Sequence, residues 1–193
     1  MQRVNVAQKS KVLDILTKSF EGNPSVNHVV KQDDKRLQRI RTLMDYSFKV
    51  CRAFGEVWMS DDEQACALVL HPDKKRFTLN TIAWDLQLCF SCIGPTRVSI
   101  VLNRESAIKA FHPKEPFSYL WFIGVNPSAQ HQGIGSNLLK EVIQQSETLK
   151  RSIFLETSVE GNVVWYQKHG FEIYNTLDMG YTLNMLRRMP KNS

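Results

Sequence analysis

Apolar positions along the chain recur first with a helical period and then with a strand period. After a short first strand over residues 2–6, Val12, Ile15, Leu16 and Phe20 share one helical face over 10–20, and Gly22-Asn23-Pro24-Ser25 stops that helix. Leu37, Ile40, Met44, Phe48 and Cys51 form the stripe of a longer helix, 33–54, ended by Gly55. Residues 56–60 and 65–71 then read as a hairpin around Asp61-Asp62-Glu63. Two helices follow, 77–90 and 96–111, joined near Gly94-Pro95. An aromatic-rich strand at 117–125 ends at Asn126-Pro127, and an amphipathic helix at 135–149 turns Leu138, Leu139, Val142, Ile143 and Leu149 inward. A buried strand at 152–157, a short helix at 162–169 and a final pair of strands within 171–187 complete the order. That order predicts a mixed α/β (α+β) sheet in a single domain, 1–193.

Composition narrows the class without naming a function. The 193 residues suffice for one sizeable core, and 42% hydrophobic with 23% charged residues is ordinary for a globular protein. No apolar run reaches the ~20 residues that span a bilayer, since 86–102 is broken by Gly94-Pro95 and Arg97. No apolar segment follows Met1-Gln2-Arg3-Val4-Asn5, so a secretory signal is not expected and the cytoplasm is. Cys89-x-x-Cys92 has no second pair and no His cluster, so no metal is expected. The net charge of +6 is scattered; five basic residues in 31–41 are interrupted by Asp33 and Asp34 and read as a solvated helix face. Neither a nucleic-acid nor a membrane partner is expected, and a homodimer is one assembly the sequence allows.

Chemistry concentrates in the second half. The strand Leu120-Trp121-Phe122-Ile123-Gly124-Val125 is followed, after a turn, by Gln130-His131-Gln132-Gly133-Ile134-Gly135 opening a helix. A helix N-terminus presents unpaired N–H groups and the positive end of its dipole, and glycine lets backbone approach an anion closely. Neither the lysine-bearing phosphate loop nor the dinucleotide fingerprint is present. A second block, Phe154-Leu155-Glu156-Thr157-Ser158 and then Asn162 through Tyr166 to Gly170-Phe171, lies about twenty residues on.

Together these blocks, from Tyr119 to Phe171, resemble the GNAT superfamily of N-acetyltransferases: Gln130-x-x-Gly133-x-Gly135 is similar to its pyrophosphate motif, and Tyr166-x-x-x-Gly170-Phe171 to its second motif. The Leu-Glu-Thr-Ser run with its nearby Asn and Tyr also resembles the puromycin N-acetyltransferase branch. The resemblance implies a mostly antiparallel sheet flanked by helices, with a splayed strand pair holding acetyl-CoA. Residues 1–115 would supply the acceptor side and 116–189 the acyl-CoA-binding core.

Ile123, Gly124 and Val125 would be the cofactor positions on the strand. The backbone of Ile123 and Val125 would pair with the pantetheine arm, and the Val125 N–H would face the thioester oxygen. Backbone N–H groups of Gln130, His131, Gln132, Gly133, Ile134, Gly135 and Ser136 would hold the pyrophosphate. Tyr166 would protonate the leaving thiolate as general acid.

The sequence departs from the family twice. Val159 stands where many members have a pantetheine-binding Asn, so Asn162 either contacts the cofactor or caps its helix. No carboxylate occurs in 117–125, which leaves Glu156 as the favoured general base ahead of Glu56 and His131. Phe20, Asn23, Asn27, His28, Trp84 and Phe90 lie in segments that would wall the acceptor cleft. A small-molecule amine is the expected acceptor. A peptide amine, or an acyl-CoA sensor without turnover, is the alternative.

Overall fold

Asn23-Pro24 ends one helix and starts another. In a computed structural model describing residues 1–191, α1 (Lys9–Ser19) is followed at once by α2 (Pro24–Val29). The Asn23 side chain accepts from the Val26 N–H at 3.0 Å, and Pro24 takes the first helical position, where no N–H is needed. The sequence reading treated this signal only as a stop and so missed α2. The long helix α3 (Arg36–Phe54) runs to Gly55, where a Cβ would lie 2.0 Å from the Val69 carbonyl oxygen. Glycine is required there because the first strand of the hairpin leaves α3 pressed against the second.

That hairpin is β2 (Gly55–Met59) and β3 (Ala65–Leu70), with β1 (Gln2–Arg3), shorter than the predicted strand, along its edge. With β4 (Phe117–Val125), β5 (Ser152–Thr157), β6 (Glu172–Asp178) and β7 (Thr182–Arg188) they form one sheet of seven strands, ordered β1-β2-β3-β4-β5-β7-β6. Every neighbouring pair is antiparallel except β4 and β5. This is the mixed, mostly antiparallel sheet that the resemblance implies.

Between β3 and β4 the chain forms α4 (Leu79–Leu88), a π-type turn at Cys89–Ile93 and α5 (Val98–Lys109). A Thr78/Thr81 capping box starts α4, and Gly94, at φ 84°, turns the chain between the two helices. The later helices are α6 (Ile134–Thr148) and α7 (Glu160–Lys168). One face of the sheet packs on α1, α2 and α3 through fully buried Leu16, Ile40 and Met44. The other packs on α6 and α7 through Leu138, Leu139, Ile153 and Leu155. Burying each such side chain contributes roughly 1.5–3 kcal/mol. Two residues expected inward face water instead: Leu37 is 49% and Leu149 40% exposed, both near helix ends where the stripe runs off the core.

Candidate active site

β4 and β5 pair over only three residues, Phe117↔Ser152, Ser118↔Ile153 and Tyr119↔Phe154. Beyond that point β5 stays paired with β7 as far as Thr157↔Asn184, while β4 stays paired with β3 as far as Val125. The two strands therefore part, and a V opens from Tyr119 towards Val125. A bulge adds Trp121 to β4, because Val69 pairs with Leu120 and Leu68 with Phe122. It brings Tyr119, Trp121 and Phe122 onto the α3 face, while Leu120, Ile123 and Val125 pack on the α6 face.

The backbone along the V can be assigned group by group. Asn126 N–H donates to the Gln64 carbonyl at 2.7 Å, one step beyond Ala65↔Val125. Bonded and non-bonded pairs alternate in an antiparallel ladder, so Gly124 and Phe122 turn their amides to β3. Ile123 and Val125 turn theirs into the V. Consistent with this, the Val125 carbonyl accepts from Ser19 Oγ at 2.7 Å rather than from β3. Gly124 points its missing side chain at α1, where a Cβ would lie 3.0 Å from Leu16 and 3.1 Å from Ser19 Oγ. It therefore permits close helix packing and offers no free backbone group to the V.

At the wide end of the V, the loop after β4 turns through His131 at φ 62° and Gly133 at φ 79° into α6. Among the described residues, no backbone N–H of 131–136 finds a hydrogen-bond acceptor; the first satisfied amide is Asn137, bonded to the Gly133 carbonyl at 3.0 Å. The two glycines serve different ends. A Cβ on Gly133 would meet nothing within 4 Å, so its left-handed φ is what requires glycine. At Gly135 a Cβ would lie 3.0 Å from Val125 Cγ2, so contact with β4 requires it. A ribbon of unpaired donors at a helix N-terminus fits a pyrophosphate, as the resemblance implies. Trp165 Nε1 donates to Ser136 Oγ at 2.9 Å and fastens α7 to this turn.

Tyr166 lies on the same face, buried between Trp165 and Phe171, with ring centroids 4.8 and 5.4 Å away. Burial raises its hydroxyl above the ordinary 10, so it stays protonated. Asn162 stands in the first turn of α7, exposed; the helix starts at Glu160 with Val159 as its cap residue, so the capping role considered for Asn162 does not arise.

Glu156 lies across the sheet from Tyr166. Its side chain is 5% exposed, and both oxygens are engaged: Oε1 with His112 Nε2 at 3.0 Å, and Oε2 with the Tyr119 hydroxyl at 2.5 Å. The two weaker base candidates lie elsewhere. Glu56 is held by Arg3 at 2.7 Å and by Trp58 Nε1 at 3.2 Å, and His131 is exposed in the phosphate-side loop.

Of the expected wall residues, Phe20 stacks edge-on against Phe122 and Trp84 packs into the α3 core. Asn23 and Asn27 hold the α2 turn, and Phe90 is 66% exposed. His28 leans on Tyr181, its ring centroid 5.3 Å away. Sequence reasoning missed His112, Tyr119 and the network around Arg104, whose guanidinium reaches Ser25 Oγ at 2.5 Å and the Tyr181 hydroxyl at 3.0 Å. Ser158 Oγ, just past β5, accepts from the Ser25 N–H at 3.2 Å. These contacts join residues up to 133 positions apart, which no local motif records.

The strand order, the V and the loop at its wide end define the class: this is the GNAT acetyltransferase fold. Residues 97–173 match the family model described as acetyltransferase (GNAT) domain, which supports the superfamily. The chain is similar over its whole length to a Corynebacterium glutamicum structure described as histone acetyltransferase HPA2 and related acetyltransferase, with TM-score 0.74, 22% identity, and 100% of this chain and 96% of that one covered. It is also similar to the C-terminal condensation domain of Ebony, solved with beta-alanyl-dopamine (TM-score 0.68, 10% identity, 97% of each chain). A third likeness is to mosquito arylalkylamine N-acetyltransferase like 5b (TM-score 0.58, 12% identity, 97% of this chain and 98% of that one). None of the three is described as a puromycin N-acetyltransferase.

Proposed function

We propose that the chain transfers an acetyl group from acetyl-CoA to the primary amine of a small molecule, by direct attack of the amine on the thioester. The observation that carries this reading is the run of unpaired amides at 131–136, set at the wide end of a V whose edge presents the backbone of Ile123 and Val125. Those residues would hold the pyrophosphate and pantetheine. Acetyl-CoA supplies an activated acyl carbon when bound. Tyr166 keeps its proton and has no hydrogen-bond partner for its hydroxyl among the described residues, so it can donate to a departing thiolate.

A small acceptor is favoured because α2, α5 and the β6–β7 turn are bonded together through Ser25, Arg104 and Tyr181 on the acceptor face. The neighbours' own acceptors differ in kind, so the panel must include both classes. A thiol-release assay with acetyl-CoA against small amines and peptides with free N-termini tests the reading. Turnover confined to small amines supports it; preference for peptides replaces the acceptor, and binding without turnover on any amine makes the chain an acyl-CoA sensor. We propose in addition a cytoplasmic protein that acts without nucleic acid, membrane or metal, and sedimentation would show whether it works as a homodimer.

A further inference from the structure

An alkyl ammonium must lose a proton before it can attack. Glu156 is bonded to the apex residue Tyr119, yet it is sealed: its side chain is 5% exposed and both oxygens are already engaged. Tyr119 is different. It is the last β4 residue paired with β5, so it stands at the apex, and the residue is half-buried rather than sealed. Its hydroxyl bond to Glu156 spans the two strands just where they part. A phenol oxygen donating its hydrogen to a carboxylate keeps lone pairs with which to accept another.

Resting on the acetyltransferase reading, we infer that the acceptor ammonium is deprotonated through Tyr119, with Glu156 as the proton store behind it and His112 holding that carboxylate in place. The N–H bond of the ammonium breaks as an O–H bond forms on Tyr119, and the original Tyr119 proton passes to Glu156 Oε2. The neutral amine then bonds to the acyl carbon as the carbon–sulfur bond breaks. Its second proton replaces the one Tyr166 gives to sulfur, and the proton on Glu156 passes back through the Tyr119 hydroxyl as product leaves. Tyr119 is thus the catalytic residue; Glu156 and His112 act through it. A carboxylate only accepts hydrogen bonds, so His112 must carry its proton on Nε2.

Other charges face this group from every side. Glu105 and Arg104 of α5 lie near Tyr119 and pair with each other at 2.6 Å. Tyr174 of β6 faces Glu156. Tyr46 of α3, bonded to Asp85 of α4 at 2.7 Å, reaches the same aromatic wall through Trp121. Burial first, then Glu156 and Glu105, hold the Tyr119 hydroxyl protonated well above the ordinary 10. It can therefore relay a proton but cannot act as a free phenolate base.

The test uses the full chain and the best amine from the panel, with kcat measured from about pH 6 to pH 10, near the ordinary value of an alkyl amine. Tyr119→Phe should lower kcat about a hundredfold at pH 7, leave acetyl-CoA affinity unchanged, and recover as pH rises and free amine forms unaided. Glu156→Gln should give the same pH profile, and His112→Asn a weaker version of it. If Glu156→Gln does not fold, Tyr119→Phe still decides, because it leaves the carboxylate and its His112 bond in place. A Tyr119→Phe protein with wild-type kcat at all pH values would overturn the relay. So would a loss of equal size at every pH, which marks a purely structural network. A wild type that binds acetyl-CoA but acetylates no amine would overturn the parent reading as well.

Discussion

The two faces of the V are built from different materials. On the α6 face the candidate cofactor site is mostly backbone: the amides of 131–136, the edge of β4 and two glycines. On the α5 face the site is side chains, joined in threes across elements far apart in sequence: His112, Tyr119 and Glu156, then Ser25, Arg104 and Tyr181. Recognition by backbone restricts only where side chains must be absent, so a short glycine-marked motif is its trace. Recognition by side chains depends on which distant segments meet, and leaves no local trace.

The sharpest way to break this contrast is to fill the backbone site. Gly135→Glu should weaken acetyl-CoA binding by about a hundredfold or more, because bulk meets Val125 and a negative charge enters an anion site. Calorimetry on a protein shown folded by circular dichroism checks it; unchanged affinity would remove the phosphate role of the loop. Gly133→Ala separates conformation from contact. Its side chain meets open space, so only the left-handed φ is penalised, at about 1–2 kcal/mol in unfolding stability.

Two substitutions should split binding from turnover. Tyr166→Phe is expected to cost roughly ten- to a hundredfold in kcat with little change in acetyl-CoA affinity, since it deletes only a proton donor. Arg104→Gln should leave the cofactor side untouched and raise the amine KM by about tenfold, because Ser25 and Tyr181 each lose their hydrogen bond with the guanidinium. If Arg104→Gln instead altered acetyl-CoA affinity, the two faces would not be separable.

The same physical difference explains what could be read in advance. Helix and strand periods gave the sheet and its flanking helices because each element buries one face, and Gly133 and Gly135 marked the turn because few other residues fit it. α2 was lost because Asn-Pro signals both an end and a beginning, and six residues carry too little period to decide. The π-type turn at Cys89–Ile93 has no composition of its own. Glu156 was picked out as a carboxylate beside the cleft, yet its two partners could not be seen, since they lie 44 and 37 residues away. Tyr119 looked like one more apolar strand residue. Only the end of the β4–β5 pairing gives it a place at the apex.

The smallest expected effect concerns acid. His28, on the acceptor face, is pushed below the ordinary 6.5 by burial and then by Arg104 and Arg97. His71, just past β3, is lowered by burial and then by Arg151 and Lys74, with Glu56 and Asp73 opposing. For both, the unfolded chain binds a proton before the folded one does. Their contribution is therefore fully present above about pH 6.5 and declines as pH falls from there through the lower folded values. His71 differs from His28 in being almost fully buried, with no hydrogen-bond partner for either ring nitrogen among the described residues. An unsatisfied buried polar group costs roughly 1–3 kcal/mol, so His71→Leu should unfold at an equal or higher urea concentration at pH 7 and lose stability less steeply towards pH 5. His28→Phe should flatten the same limb but leave Tyr181 an apolar neighbour to lean on. Should His71→Leu prove markedly less stable at pH 7, the His71 ring must be bonded in solution, and the acid sensitivity would then belong to the acceptor face alone.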